Sequence, residues 1–412
     1  MIRNEEAKMV VEPKAFDGLS NLETLYIDDH RLCCHFSRVV HCITLEPQPP
    51  LFNCGSLMQN YVLRVSMWVL GISALVGNLF SVIWRLAEKT RNQTQAIQTF
   101  LIGNLALADF FMGIYMLILA SADIYYGDGY FNYSDEWRSG YVCRFAGFLS
   151  LFASEGSVFF LTLISYERFL GGVFPFSSAR LTKGSAKTVG ALLWLFTFVL
   201  SLVPVLLAGP NSDFYDLSDV CIGLPLITRP ATFEFEASDV GNDLTFDLPV
   251  SQDSKPAWYF SIVIFLGVNL VCFVFILICY IAIFWSLKKS MAKSGRSTDT
   301  QEEMKIAIKM AIIVGTDFLC WVPVIIMGIL SQTELVVIPL EAYTWSVVFV
   351  LPINSSLNPY LYTISSLISD WRSKHPSKKK QKLTESSMGS STKNESKETL
   401  SSSVSQTNIT QK

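Results

Sequence analysis

Residues 143–169 read CRFAGFLSLFASEGSVFFLTLISYERF, an apolar run with a cysteine at one end, Glu-Arg at the other and a single carboxylate, Glu155, between them. From Cys143 to Arg168 is 25 residues, roughly 37 Å at ~1.5 Å per helical residue and enough to cross a bilayer core of ~30 Å. A carboxylate inside such a segment is costly against lipid, so Glu155 is expected to face protein or water.

The rest of the chain agrees that this is a membrane protein. Half of the 412 residues are apolar and 16% are charged, well below the share typical of soluble domains. Six further apolar segments pass the length test, giving spans near 61–84, 100–122, 142–166, 189–207, 258–285, 306–330 and 343–364. Basic residues alternate between the connections. Arg85, Lys89 and Arg91 follow the first span, Arg180, Lys183 and Lys187 the third, and Lys288, Lys289, Lys293 and Arg296 the fifth. The other connections are acidic, and the one at 209–256 has seven Asp and two Glu against Arg229 and Lys255. By the positive-inside rule the N-terminus lies outside and the C-terminus in the cytoplasm. The expected fold is an all-α membrane protein, a seven-transmembrane helix bundle behind a short cysteine-containing extracellular hinge.

Cysteine positions fit that orientation. Cys33, Cys34, Cys42 and Cys54 precede the first span, and Cys143 and Cys221 face the same oxidising side, where pairing is expected. The first four allow three pairings that sequence leaves open. Cys272, Cys279 and Cys320 fall within spans, as small packing residues. Upstream, Phe16, Leu19, Leu22, Leu25 and Ile27 have the spacing of one leucine-rich repeat, or of an ordinary amphipathic segment. After Ile364 the composition turns to lysine and then to Ser/Thr, which reads as a disordered tail.

Several function classes are excluded. All four histidines, His30, His35, His41 and His375, lie outside the spans, which removes intramembrane zinc hydrolases and serine–histidine proteases; no enzyme is expected. The seventh span has no lysine for a retinal Schiff base. The one basic cluster, Lys378 to Lys382, adjoins a membrane segment, so no nucleic-acid partner is expected. An ion-coupled transporter using Asp109, Glu155 and Asp317 remains as the alternative.

Motifs point elsewhere. Gly77-Asn78 in the first span, Asn104 to Asp109 in the second, Glu167-Arg168-Phe169 closing the third and Trp194 in the fourth resemble the rhodopsin-like G-protein-coupled receptors. So do Tyr280 in the fifth, Cys320-Trp321-Val322-Pro323 in the sixth and Asn358-Pro359-Tyr360-Leu361-Tyr362 in the seventh. FASEGSV around Glu155, TDFLCWVP at 316–323 and LPINSSLNPYLY at 351–362 are similar to the leucine-rich-repeat-containing branch that holds the glycoprotein-hormone and relaxin receptors. The organisation this implies is a repeat remnant at 1–30, a cysteine-rich hinge at 31–60, the receptor domain at 61–366 and a cytoplasmic tail at 367–412. The upstream repeats that capture hormone in that branch are absent, so the chain is either a receptor or a truncated product unable to bind hormone.

The resemblance also implies roles. Cys143 and Cys221 would form the disulfide tying the long outer loop to the third helix. Arg168, with Glu167 beside it and Glu303 at the foot of the sixth helix, would clamp those helices through a charge-assisted pair, or else lie at the interface and snorkel. Asp109, Ser157, Asn354 and Asn358 would form a sodium site. Asp317 would bond Asn354 and Asn358 to hold the sixth and seventh helices together. Two carboxylates in one low-dielectric region do not both ionise, so one is protonated or shares a cation. Pro323 would kink the sixth helix beside Trp321, and Tyr280 and Tyr362, the latter after Pro359, would swing inward on activation. Pro175 and Phe176 would enter a G protein, Phe176 alternatively lying in membrane lipid. Asn132 is the outward glycosylation sequon. Implied partners are a heterotrimeric G protein of the cAMP-raising type and an extracellular protein or peptide hormone, with receptor kinases and arrestin acting on the tail. The implied location is the plasma membrane, crossed several times.

Overall fold

A computed structural model describes residues 24–27, 30–35, 41–44, 54–58, 60–90, 92–174, 177–207, 219–222, 260, 262–294, 298–332 and 340–364. The chain falls into two units, Met1–Pro359 and Tyr360–Lys412, and the described part of the second is the π-helical turn Tyr360–Ile364.

In the first unit, α1 (Tyr61–Ala87) starts at Asn60, whose side-chain oxygen accepts from the Val62 amide at 2.9 Å. Asn92 does the same for the Gln95 amide at the head of α2 (Gln93–Tyr126). Each asparagine satisfies one of the amides a helix start leaves unpaired. α2 stops at Gly127, whose φ of +53° is a left-handed conformation that glycine adopts without steric cost. A short helix, α3 (Tyr130–Ser139), then leads into α4 (Tyr141–Val173) and α5 (Lys183–Leu207). A π-helical segment, Ile262–Val268, precedes α6 (Asn269–Ser294), and α7 (Thr298–Gln332) carries Pro323 inside it. Finally α8 (Leu340–Trp345), a π turn (Ser346–Val350) and α9 (Leu351–Pro359) follow one another without a break.

The opening stretch is the centre of this unit. Of the apolar part of α4, 78% is buried, against 33% for α1 and 22% for α5, because α4 packs against α2, α5 and α6. The valines, leucines and isoleucines left exposed, such as Val69 and Ile72 on α1 or Val271 and Ile278 on α6, face outward from the bundle, as a lipid-facing surface requires.

One expectation is corrected here. The chain is not all-α: β1 (Thr24–Ile27) pairs in parallel with β2 (His41–Thr44), Thr24 opposite His41 and Ile27 opposite Thr44. Among the described residues six helices are, uninterrupted, long and apolar enough to cross a membrane. The expected seventh span is helical but interrupted by π turns, and Pro359, which has no amide hydrogen to continue the ladder, closes α9. The connection after α2 carries the short helix α3. Phe16, Leu19 and Leu22 of the repeat spacing lie outside the described residues.

Candidate functional site

The deepest polar cluster lies where α2, α4, α7 and α9 meet. Asp109 is fully buried, and its Oδ1 accepts from Ser157 Oγ at 3.1 Å and Ser355 Oγ at 2.9 Å, while Oδ2 accepts from Asn358 Nδ2 at 2.8 Å. Asn354 Nδ2 donates to Asp317 Oδ1. Asn78 Nδ2 reaches across from α1 to the Ser355 carbonyl at 2.9 Å. One correction follows: Asn358 bonds Asp109 rather than Asp317, so among the described residues Asp317 is joined to α9 through Asn354. Asp317 Oδ2, Asn354 Oδ1 and Asn358 Oδ1 are buried oxygens that accept no hydrogen bond. Two of these oxygens, on Asn354 and Asn358, belong to the set named for sodium, whereas both Asp109 oxygens already accept hydrogen bonds; oxygens without donors are the ligand type a hard cation takes.

Beside this cluster Trp321 packs against Phe265 and Phe273 at centroid distances of 6.0 and 6.1 Å, two residues before Pro323. On the other side Trp194 Nε1 donates to Asn104 Oδ1 at 2.8 Å, tying α5 to α2.

Glu155 has a partner that sequence reading did not identify. Asn269 Nδ2 donates to Glu155 Oε1 at 3.0 Å, and both residues are fully buried. The π segment before α6 widens one turn by a residue, which advances the following register by roughly 100°, and Asn269 is the first residue after it. Glu155→Leu would strand a buried amide at a cost of about 1–3 kcal/mol, whereas replacing both partners by leucine is close to neutral. The single variant is therefore expected to melt several degrees lower in detergent, with Glu155→Leu/Asn269→Leu recovering most of the loss; equal melting of both variants would deny the pair any role.

At the Cys143 end, Cys143 and Cys221 are disulfide-bonded with Cα atoms 5.3 Å apart. The residues around Cys221 are held independently of the bond. Tyr115 Oη donates to the Val220 carbonyl at 2.7 Å, Tyr130 Oη to Asp219 Oδ1 at 2.7 Å, and Trp137 Nε1 to the Asp219 carbonyl at 2.8 Å. Arg138, buried on α3, stands 3.8 Å from Asp219 Oδ1. Cys221 itself has a φ of +55°, a strained conformation for a residue with a Cβ, so these bonds work against a backbone that would otherwise relax. Cys143→Ser is expected to leave little protein at the cell surface, measured by labelling intact cells; a disulfide typically contributes about 2–4 kcal/mol. Normal display would remove the bridge from the list of structural requirements.

Nearby, the segment before α1 is pinned into the bundle. Arg64 Nε lies 2.7 Å from Asp123 Oδ2, Asp123 Oδ1 accepts from the Met58 amide at 2.9 Å, and Arg64 Nη2 donates to Ser56 Oγ at 2.6 Å. Leu57 and Met58 are buried, and Cys54 just ahead of them is disulfide-bonded to Cys34. Cys33 is disulfide-bonded as well. Asn132 is exposed on α3, and Ser134 of its sequon is buried, accepting from Arg138 Nη2 at 3.3 Å.

At the Arg168 end, the direct ion pair of Glu167 among the described residues is with Arg180 Nη2 at 4.0 Å, while its neighbour Arg168 acts on it through charge without that contact. Consecutive helical residues point about 100° apart. Arg168 makes no direct ion pair among the described residues and its Nε has no hydrogen-bond partner, while the charge of Glu167 and then the buried Tyr280 act on it electrostatically. The side chains of Glu303 and Tyr362, and residues Pro175 and Phe176, lie outside what is described.

Asn269, Ser355, Asp219, Arg138 and Arg180 thus join residues that sequence analysis had named. A signal existed for Asn269: an amide inside an apolar span must find protein, and Glu155 needed a partner. Ser355 adjoins Asn354 in the quoted motif, but nothing in the sequence shows which serine turns inward. Arg138, Arg180 and Asp219 have no local signature at all.

The family model described as 7 transmembrane receptor (rhodopsin family) matches residues 77–362. The G-protein coupled receptor GRL101 of Lymnaea stagnalis is 36% identical over 86% of the chain and 29% of its own length. Relaxin receptor 2 of Homo sapiens is 32% identical over 84% of the chain and 42% of its own length. The follicle-stimulating hormone receptor of Cairina moschata is 32% identical over 82% and 43%. The chain spans less than half the length of each of these relatives.

Proposed function

The chain belongs to the rhodopsin family of seven-transmembrane receptors, and from that premise we propose that it couples an extracellular protein or peptide hormone to a heterotrimeric G protein, of the type that raises cAMP. Relatives named relaxin and follicle-stimulating hormone receptors support the ligand class. Because the chain spans less than half of their length, it carries the transducing part, and hormone capture is proposed only for a protein that also holds the upstream repeats.

The observation that carries this reading is the buried pairing of two carboxylates with one short helix. Asp317 on α7 takes Asn354, and Asp109 on α2 takes Asn358, four residues and about one helical turn further along α9. A helix joined to two neighbours through buried side-chain hydrogen bonds has two discrete arrangements, bonds made or bonds exchanged, which is what a switch requires. A sodium ion on Asp109, Ser157, Asn354 and Asn358 would supply positive charge and hold the first arrangement. Release of Asp317 would let α7 pivot at Pro323, and Arg168, Pro175 and Phe176 would then meet the G protein.

The test is nucleotide exchange on purified heterotrimers by the full chain in lipid nanodiscs. Exchange supports the receptor. Substrate-dependent flux into vesicles without exchange would support the transporter that the intramembrane carboxylates also permit.

A further inference from the structure

We propose that Arg180 is a positioning residue which holds the Glu167 carboxylate away from Arg168 and so leaves the Arg168 guanidinium available for G-protein activation; this rests on the receptor reading above.

The argument begins with one carboxylate and two guanidinium groups. Glu167 is almost fully buried, and its Oε1 lies 4.0 Å from Arg180 Nη2. Gln98 on α2 also hydrogen-bonds this carboxylate. Arg168, one residue along, feels the charge of Glu167 but makes no direct ion pair with it among the described residues, and its buried Nε is left without a partner. An arginine that is buried yet unclamped can accept a new partner without first breaking an ion pair.

Arg180 is placed for this task by its backbone. On one side a turn returns the chain after α4, Ser177 N donating to the Phe174 carbonyl at 3.0 Å and Arg180 N to the Ser177 carbonyl at 3.4 Å. On the other side Thr182 and Ser185 cap α5 reciprocally. The Ser185 amide donates to Thr182 Oγ1 at 3.1 Å, and the Thr182 amide to Ser185 Oγ at 2.8 Å, an arrangement that fixes a helix start. The side chain then crosses to α2, where Nη2 also donates to Thr94 Oγ1 at 3.4 Å. It passes Gly171, whose missing Cβ would lie 3.7 Å from Nη2, so the guanidinium rests against bare helix. Arg180 thereby bridges the first turn of α2 and the last turns of α4. Remove it, and the nearest remaining cation for a buried carboxylate is Arg168, which would then be held as the expected clamp describes.

A double-mutant cycle separates this role from others. Agonist-independent nucleotide exchange on purified heterotrimers is measured for the full chain and for Arg180→Gln, Glu167→Gln and the double variant, at matched receptor amounts in nanodiscs. Arg180→Gln is expected to lower exchange about threefold, the scale of a partly exposed ion pair. Arg180→Lys, which keeps a cation, should retain most of it. In the Glu167→Gln background, Arg180→Gln should change nothing further, because there is no carboxylate left to restrain. An equal loss in both backgrounds would mean that Arg180 touches the G protein or merely folds the connection, and overturns the proposal, as does no loss in either. No exchange by the unaltered chain on any heterotrimer would instead count against the receptor reading, and this proposal would fall with it.

Discussion

Replacing Asp317 with alanine is expected to raise agonist-independent nucleotide exchange by about tenfold to a hundredfold. Asp317 is buried, and among the described residues its hydrogen-bond partner is Asn354 on the adjacent helix. Removing one partner of a buried hydrogen bond costs about 1–3 kcal/mol, and each 1.4 kcal/mol moves a two-state equilibrium about tenfold. Alanine removes the bond without filling the space, and Asn354, already short of a partner at Oδ1, becomes free to turn toward Asp109. Cell-surface labelling alongside the exchange measurement guards against an expression effect. A variant that is displayed normally and stays silent would refute the latch, and the switch would have to be sought in the Asp109–Asn358 pair instead.

Gly113→Val is expected to be equally drastic for a different reason, abolishing surface display and lowering the melting temperature of whatever is purified. A Cβ at Gly113 would sit 2.6 Å from the Leu75 amide nitrogen and 2.9 Å from Leu75 Cα. Backbone cannot rotate out of the way as a side-chain tip can, so α1 would have to lift off α2, beyond the ~1–3 kcal/mol usual for overpacking. Small residues are what allow such close helix approach in membranes, where packing rather than hydrophobicity holds helices together. The damage would spread, because Asn78, one turn from this contact, carries the hydrogen bond to Ser355. Gly103→Ala is the matched control: its Cβ would meet Arg85 Cβ at an ordinary 3.6 Å, and it should be displayed like the unaltered chain.

Much of this molecule was legible from its residues because bilayers enforce simple rules. Span length placed the helices, and α4, which holds residues 143–169, is the most buried of the candidate spans. What sequence could not supply was rotation about each helix axis. Asn354 and Asn358 are four residues apart and lie on one face, yet the structure sends them to different carboxylates, Asp317 and Asp109. Register is likewise changed by π turns, as at Ile262–Val268 before Asn269, and no residue type marks a π turn. Connections were the least readable part. Arg180 counted in the sequence only as an inner-side charge, and only the fold shows that Arg138 is buried against Asp219 and that Arg180 reaches Glu167. The strand Thr24–Ile27 was hidden for a related reason: its partner, His41–Thr44, stands across the cysteine-bearing turn and has no apolar pattern of its own.

The pinned segment ahead of α1 has a mechanical consequence. From Cys54, locked to Cys34, to Met58, locked to Asp123, is four residues, a tether of at most ~14 Å when taut. So short a leash has no slack, and a torque on the disulfide-bonded segment must arrive at the tops of α1 and α2 rather than dissipate in a linker. Splicing a flexible Gly/Ser insert between 54 and 56 would turn that rigid transmission into a problem of effective concentration, in which the plug must find its seat by diffusion on a longer string. For anyone attaching a reporter or a fusion partner to this protein, those few residues are the place to leave alone.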